Sequence, residues 1–131
     1  MTDAGREFDL VLLGATGFVG RLTAAHLAAA APAGTRIALA GRSIERLRAV
    51  SASLGGAAAD WPLIEADSLD DAAMESLAGR ARVIAPTVGP YRRLGMPLVL
   101  ACAAAGTHYC DLTGEVLFVH ESIARAHGIA S

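Results

Sequence analysis

A short apolar run, Phe8-Asp9-Leu10-Val11-Leu12-Leu13, leads into Gly14-Ala15-Thr16-Gly17-Phe18-Val19-Gly20 and then into an alanine-rich stretch with helical spacing. Strand, glycine turn and helix start, in that order, constrain the fold more than anything else in the chain. Glycine tolerates backbone angles closed to other residues and lets the main chain come close to a ligand. The helix start that follows offers unpaired N–H groups and a partial positive charge, which together favour phosphate. The order predicts the opening turn of a dinucleotide site, with the pyrophosphate over Gly14, Ala15, Thr16, Gly17, Phe18 and Val19. The competing expectation is a glycine turn that serves strand–helix packing only.

The remainder alternates in the same way. Apolar runs predict strands over residues 9–13, 35–40, 61–66, 81–85 and 107–110. Helical spacing predicts helices over 18–30, 44–54, 70–77, 97–105 and 115–127. Ser43 reads as the N-cap of the second helix, with Ile44, Leu47, Val50, Ser51 and Leu54 on one face. Gly79, Gly106 and Gly128 read as helix stops, Asp67 or Ser68 as the lead into the third helix, and residues 86–95 as a loop. Five strands separated by helices imply an α/β fold: a Rossmann-type, doubly wound parallel sheet in three layers. The expected strand order is 3-2-1-4-5, with a crevice between the first and fourth strands. Residues 1–131 read as one domain, and as the N-terminal part of a longer two-domain protein.

Composition removes several alternatives. The chain has no lysine; all 11 basic residues are arginine. That excludes a P-loop lysine, a Schiff-base lysine and a Tyr-x-x-x-Lys dyad, and leaves arginine forks to hold phosphate. Net charge is −2 with no basic block, so a nucleic-acid partner is not expected. No stretch of about 20 apolar residues exists, so a transmembrane segment is not expected. Residues 1–7 lack a signal-peptide core. Cys102 and Cys110 lie in apolar segments and read as buried reduced thiols of a cytoplasmic protein. His26, His108, His120 and His127 have no metal-ligand spacing, and no catalytic residue can be named.

The end of the second strand separates NAD from NADP. An acidic residue there binds the ribose hydroxyls of NAD; an arginine with small polar groups holds the 2′-phosphate of NADP. Here the strand ends Ala40-Gly41-Arg42-Ser43, with Arg46 one turn on, which points to NADP. Asp67, past the third strand, is a candidate for the adenine side or a helix cap. Thr87, Val88 and Gly89, after the fourth strand, are candidates for the nicotinamide side. Tyr91 is either a proton donor or a packing residue. In Asp111-Leu112-Thr113-Gly114-Glu115 the acidic groups either position a ligand or belong to a helix cap formed by Thr113 or Gly114.

Four strings together resemble the saccharopine dehydrogenase-like family, in particular its mycobacterial branch of trans-acting enoyl reductases. They are Gly-Ala-Thr-Gly-Phe-Val-Gly at 14–20, Ala-Gly-Arg-Ser at 40–43, Val-Gly-Pro-Tyr at 88–91 and Gly-Thr-His-Tyr-Cys-Asp-Leu-Thr-Gly-Glu at 106–115. The resemblance covers residues 8–118, and its last string is the most specific. It implies the NADP-binding domain of an oxidoreductase that reduces a carbon–carbon double bond in polyketide or lipid intermediates, small or carrier-bound, acting in trans on a synthase. It also implies that Gly14, Thr16, Gly17, Phe18 and Val19 hold pyrophosphate, Arg42 and Ser43 the 2′-phosphate, and Thr87 and Gly89 the nicotinamide side. The alternatives are a regulatory or redox-sensing NADP-binding module without turnover, and an interaction domain with an empty crevice.

Overall fold

Among residues 5–131, which the computed structural model describes, five strands form one parallel sheet. They are β1 (Phe8–Leu13), β2 (Ile37–Gly41), β3 (Leu63–Glu65), β4 (Ala81–Pro86) and β5 (His108–Tyr109). The order is β3-β2-β1-β4-β5, as the alternation predicts. Leu13 pairs with Ala40 on one side and Pro86 on the other, so the glycine turn leaves from the middle of the sheet. The first four residues of the N-terminal segment lie outside the described residues.

Six helices flank the sheet: α1 (Phe18–Ala30), α2 (Ile44–Leu54), α3 (Asp71–Arg80), α4 (Tyr91–Leu94), α5 (Met96–Ala105) and α6 (Val116–Ala130). Every residue of β2 is buried, the pattern of a parallel strand covered on both faces. Leu12, Leu39, Ala24, Leu47 and Val50 form the core under α1 and α2. Val11, Leu13, Ile84, Met74, Leu77, Leu98 and Cys102 form the core under α3 and α5. A third cluster joins α4, α5 and α6 through Tyr91, Met96, Val99 and Phe118. The rings of Tyr91 and Phe118 lie 5.6 Å apart.

The limits of α1 and α2 agree with the sequence reading, and Ser43 caps α2 by accepting from the Arg46 N–H at 3.3 Å. Other limits differ. Gly79 does not stop α3; the helix runs on to Arg80. Where α3 runs into β4, the buried guanidinium of Arg6 donates to Ala78 O and to Ala81 O. Gly128 does not stop α6 either: the helix continues to Ala130, and Ser131 closes it on the His127 carbonyl. Residues 86–95 are not all loop, because α4 forms within them. A short 3-10 turn, Gly56–Asp60, follows α2, with Ser51 Oγ donating to the Ala59 carbonyl at 3.1 Å. Cys110, one residue past the end of β5, is exposed, whereas Cys102 is buried in α5.

At the amino end of the sheet, arginines are fully engaged. Arg6 is 5% exposed and also donates to Ala105 O at 2.7 Å and Thr107 Oγ1 at 2.8 Å. It thereby ties the carbonyl ends of α3 and α5 together, where a cation complements the helix dipoles. Arg36 pairs with Asp9 at 2.9 Å, Arg82 with Asp9 at 3.6 Å, and Arg80 with Glu7 at 3.0 Å. The Arg36 guanidinium and backbone N–H hold the Asp9 carboxyl down at about 2.

Candidate dinucleotide site

The site begins at the carboxyl end of β1. Gly14 has φ +90°, open to glycine and strained for other residues. A Cβ on Gly14 would also strike Thr87 Oγ1 and Val88 Cγ2. A Cβ on Gly20 would overlap the Gly14 carbonyl, so the first turn of α1 lies in backbone contact with the glycine turn. Gly17 differs. Its φ is −75°, and a Cβ there would meet nothing closer than Gly14 O at 3.6 Å. It is the N-cap of α1 and supplies no side-chain acceptor to the first-turn N–H groups. The space over Gly17 is thus left open by the protein itself, beside donors that need an acceptor.

A cleft of about 480 Å3 opens there, at the carboxyl edge of β1, β2 and β4. The structure brings Gly14, Thr16, Gly17, Arg42, Ser43, Arg46, Thr87, Val88 and Gly89 together on its wall. Leu13, Gly41, Ala66 and Ser68 complete the lining, and none of these residues is acidic. Arg42 and Arg46 are exposed, and neither enters an ion pair with the described carboxylates. Glu45 lies outside the lining. A cleft with two free guanidiniums, a serine hydroxyl and no carboxylate fits a ribose phosphate better than a ribose diol.

Thr87 anchors the other side. Its N–H donates to Leu13 O at 2.8 Å, and its hydroxyl reaches Leu13 O at 3.2 Å and Gly14 O at 3.1 Å. The β4 loop is thereby pinned to the glycine turn, and the hydroxyl lone pairs remain available to a donor.

The side chains of four residues expected at the site lie off the cleft wall. Ala15 is fully buried among the core residues beneath α1 and α2. Phe18 and Val19 are exposed on α1, off the cleft wall. Asp67 is exposed, and its carboxylate accepts from the Leu69 N–H at 2.9 Å in a local turn; Asp70 is the cap of α3. Its neighbour Ser68, which the sequence marks only as a lead into the third helix, is buried and on the wall.

Tyr91 packs rather than points into the cleft. Its hydroxyl donates to Pro86 O at 3.1 Å and accepts from Leu112 N–H at 3.4 Å. Burial pushes the phenol up, with Asp111 and Glu115 adding to the rise. The acidic residues of 111–115 are also internally engaged. Asp111 accepts from Tyr109 O–H at 2.6 Å and Thr113 N–H at 3.0 Å. Burial, then the Asp111 contact, raises Tyr109 strongly. Glu115, not Thr113 or Gly114, occupies the N-cap position of α6, yet its carboxylate caps α4, accepting from the N–H of Tyr91 at 2.7 Å and of Arg92 at 3.1 Å.

A doubly wound parallel sheet, with a glycine turn at its centre and an acid-free cleft at its carboxyl edge, defines a Rossmann-type dinucleotide-binding domain. Residues 10–129 match the family described as the saccharopine dehydrogenase NADP binding domain, and the chain belongs to that family. It is 59% identical over 127 residues to a trans-acting enoyl reductase of Mycobacterium tuberculosis, covering 97% of this chain and 30% of that protein. The chain thus spans less than a third of the curated relatives it matches. In structure it resembles a saccharopine dehydrogenase from Saccharomyces cerevisiae, with a TM-score of 0.69 at 20% identity over 88% of this chain and 24% of that one. It also resembles an NADPH-dependent quinone oxidoreductase from Escherichia coli complexed with NADPH, with a TM-score of 0.55 at 20% identity, over 75% and 34%.

Proposed function

We propose that this domain holds NADP(H) for an oxidoreductase that reduces a carbon–carbon double bond in polyketide or lipid intermediates, small or carrier-bound. The observation that carries the cofactor reading is the cleft wall: Arg42, Ser43 and Arg46 without a carboxylate, beside the open glycine turn. The identity to mycobacterial trans-acting enoyl reductases supports the reaction class, and weighs against a module without turnover. The relatives' greater length supports a substrate-binding part contributed by further polypeptide. Two unpaired thiols, Cys102 and Cys110, support a reducing, cytoplasmic setting.

The residues fit the group in three places. The backbone N–H groups of Thr16, Phe18 and Val19 at the α1 N-terminus would meet the pyrophosphate, those of Gly14, Ala15 and Gly17 being bonded to Ala40 O and Gly14 O. Arg42 and Ser43, with Arg46, meet the 2′-phosphate. Thr87, Val88 and Gly89 would border the nicotinamide half, and Ser68, beside Asp67, the adenine side. The bound cofactor supplies hydride; this chain's own residues bind, orient and neutralise charge. Calorimetric titration tests the reading. NADPH binds, and binds more tightly than NADH; a chain that gives no heat and no melting shift with either at millimolar concentration overturns it.

A further inference from the structure

We propose that Arg21 is a specificity residue for the 2′-phosphate of NADP(H), acting from a side groove that continues the main cleft. The inference rests on the NADP(H) reading given above. The groove, about 440 Å3, lies between α1 and α2 and is lined by Thr16, Arg21, Arg46, Ala49, Val50 and Ser53. Thr16 and Arg46 also line the main cleft, so the two spaces share that wall. No carboxylate lines either one.

Arg21 and Arg46 stand in the first turns of neighbouring helices and border one groove. Each is a cation at the positive end of its helix dipole, where a carboxylate would be favoured. They also repel each other. Neither enters an ion pair with the described carboxylates, whereas Asp9 and Glu7 neutralise Arg36, Arg82 and Arg80 at the other end of the sheet. Folding alone gives no reason for two unpaired guanidiniums to border one groove; a dianion bound there does.

The position selects which phosphate. The pyrophosphate belongs to the glycine turn, at the start of α1. Arg21 follows Gly20 and shares its groove with Arg46, which also lines the cleft wall carrying Arg42 and Ser43. A phosphate on the adenosine ribose would meet Arg42 and Ser43 first, with Arg46 at the shared wall and Arg21 closing the far side. NADH has no group to place there.

The test is titration of the chain with NADPH, NADH and adenosine 2′,5′-bisphosphate. Arg21→Gln weakens NADPH and the bisphosphate roughly tenfold, the scale of one charge-assisted contact, and leaves NADH unchanged. Arg48→Gln, which removes the same charge from α2 but lines neither space, changes none of the three. Wild-type affinity for NADPH in Arg21→Gln, or equal losses for NADPH and NADH, overturns the proposal while leaving the site reading intact. A wild-type chain that binds NADPH no better than NADH overturns the 2′-phosphate reading itself, and the role of Arg21 with it.

Discussion

The two ends of this sheet treat arginine in opposite ways. At the amino end, Arg6 is buried against three carbonyls and a threonine hydroxyl, and Arg36, Arg80 and Arg82 each face a carboxylate. At the carboxyl end, Arg42 and Arg46 line the cleft and Arg46 and Arg21 line the groove beside it, with no acidic residue in either lining. The side chain is the same, so the difference lies in what each end supplies. Carbonyl ends of helices and strand-start carboxylates satisfy the first group internally. The second group lies among helix N-termini and glycine amides, all of them positive or donating, which leaves an anion from outside as the natural counterpart.

Breaking the amino end should affect stability and spare binding. Arg6→Met leaves the Ala78, Ala81 and Ala105 carbonyls without their donor, and should cost about 3–5 kcal/mol in denaturant unfolding. A loss under about 1 kcal/mol would show that the ends of α3 and α5 do not depend on it. Changes at the carboxyl end should do the reverse. Gly17→Val keeps an ordinary φ and meets little within the protein, so melting should hold; the branched side chain fills the phosphate space and should weaken NADPH and NADH alike, by about 2–3 kcal/mol. Retained binding would reduce the turn to a packing device.

Arg42→Ala should weaken NADPH more than NADH by about 1–3 kcal/mol, read by paired titrations. Equal losses would remove Arg42 from the 2′-phosphate. The mildest effect is acid sensitivity at the paired end. Asp9 is held at about 2, below its usual 3.8, so its contribution is complete above about pH 4 and fades as pH falls toward 2. Asp9→Asn should flatten that part of the stability–pH curve, and an unchanged curve would place the acid dependence elsewhere.

How much of this was legible depended on how local each cause is. The strand order, the limits of α1 and α2, and the Ser43 cap follow from patterns a few residues long. Nine of the expected cleft residues share one wall because glycine turns and strand ends fix their place in any doubly wound sheet. Two features came from distant partners. The bonds of Arg6 span 72 to 101 residues, so nothing near Gly79 announced that α3 would run past it. Glu115 reads as a start for α6, but it serves a helix 24 residues earlier. Asp67 and Ser68 are both polar residues past the third strand, and burial, which the sequence does not print, decides which of them faces the cleft.

That long-range carboxylate also sets how the molecule can yield. Glu115 grips the backbone of Tyr91 and Arg92 from the threshold of α6, and Tyr91 in turn holds the Pro86 carbonyl at the end of β4. Displacing the threshold of α6 therefore breaks two charge-assisted bonds at the start of α4. The stretch from Pro86 to Tyr91, which contains Thr87, Val88 and Gly89, then loses the brace at its far end. A force applied more than twenty residues along the chain thus arrives at the Thr87–Gly89 wall of the cleft, and the last helix doubles as a handle on it.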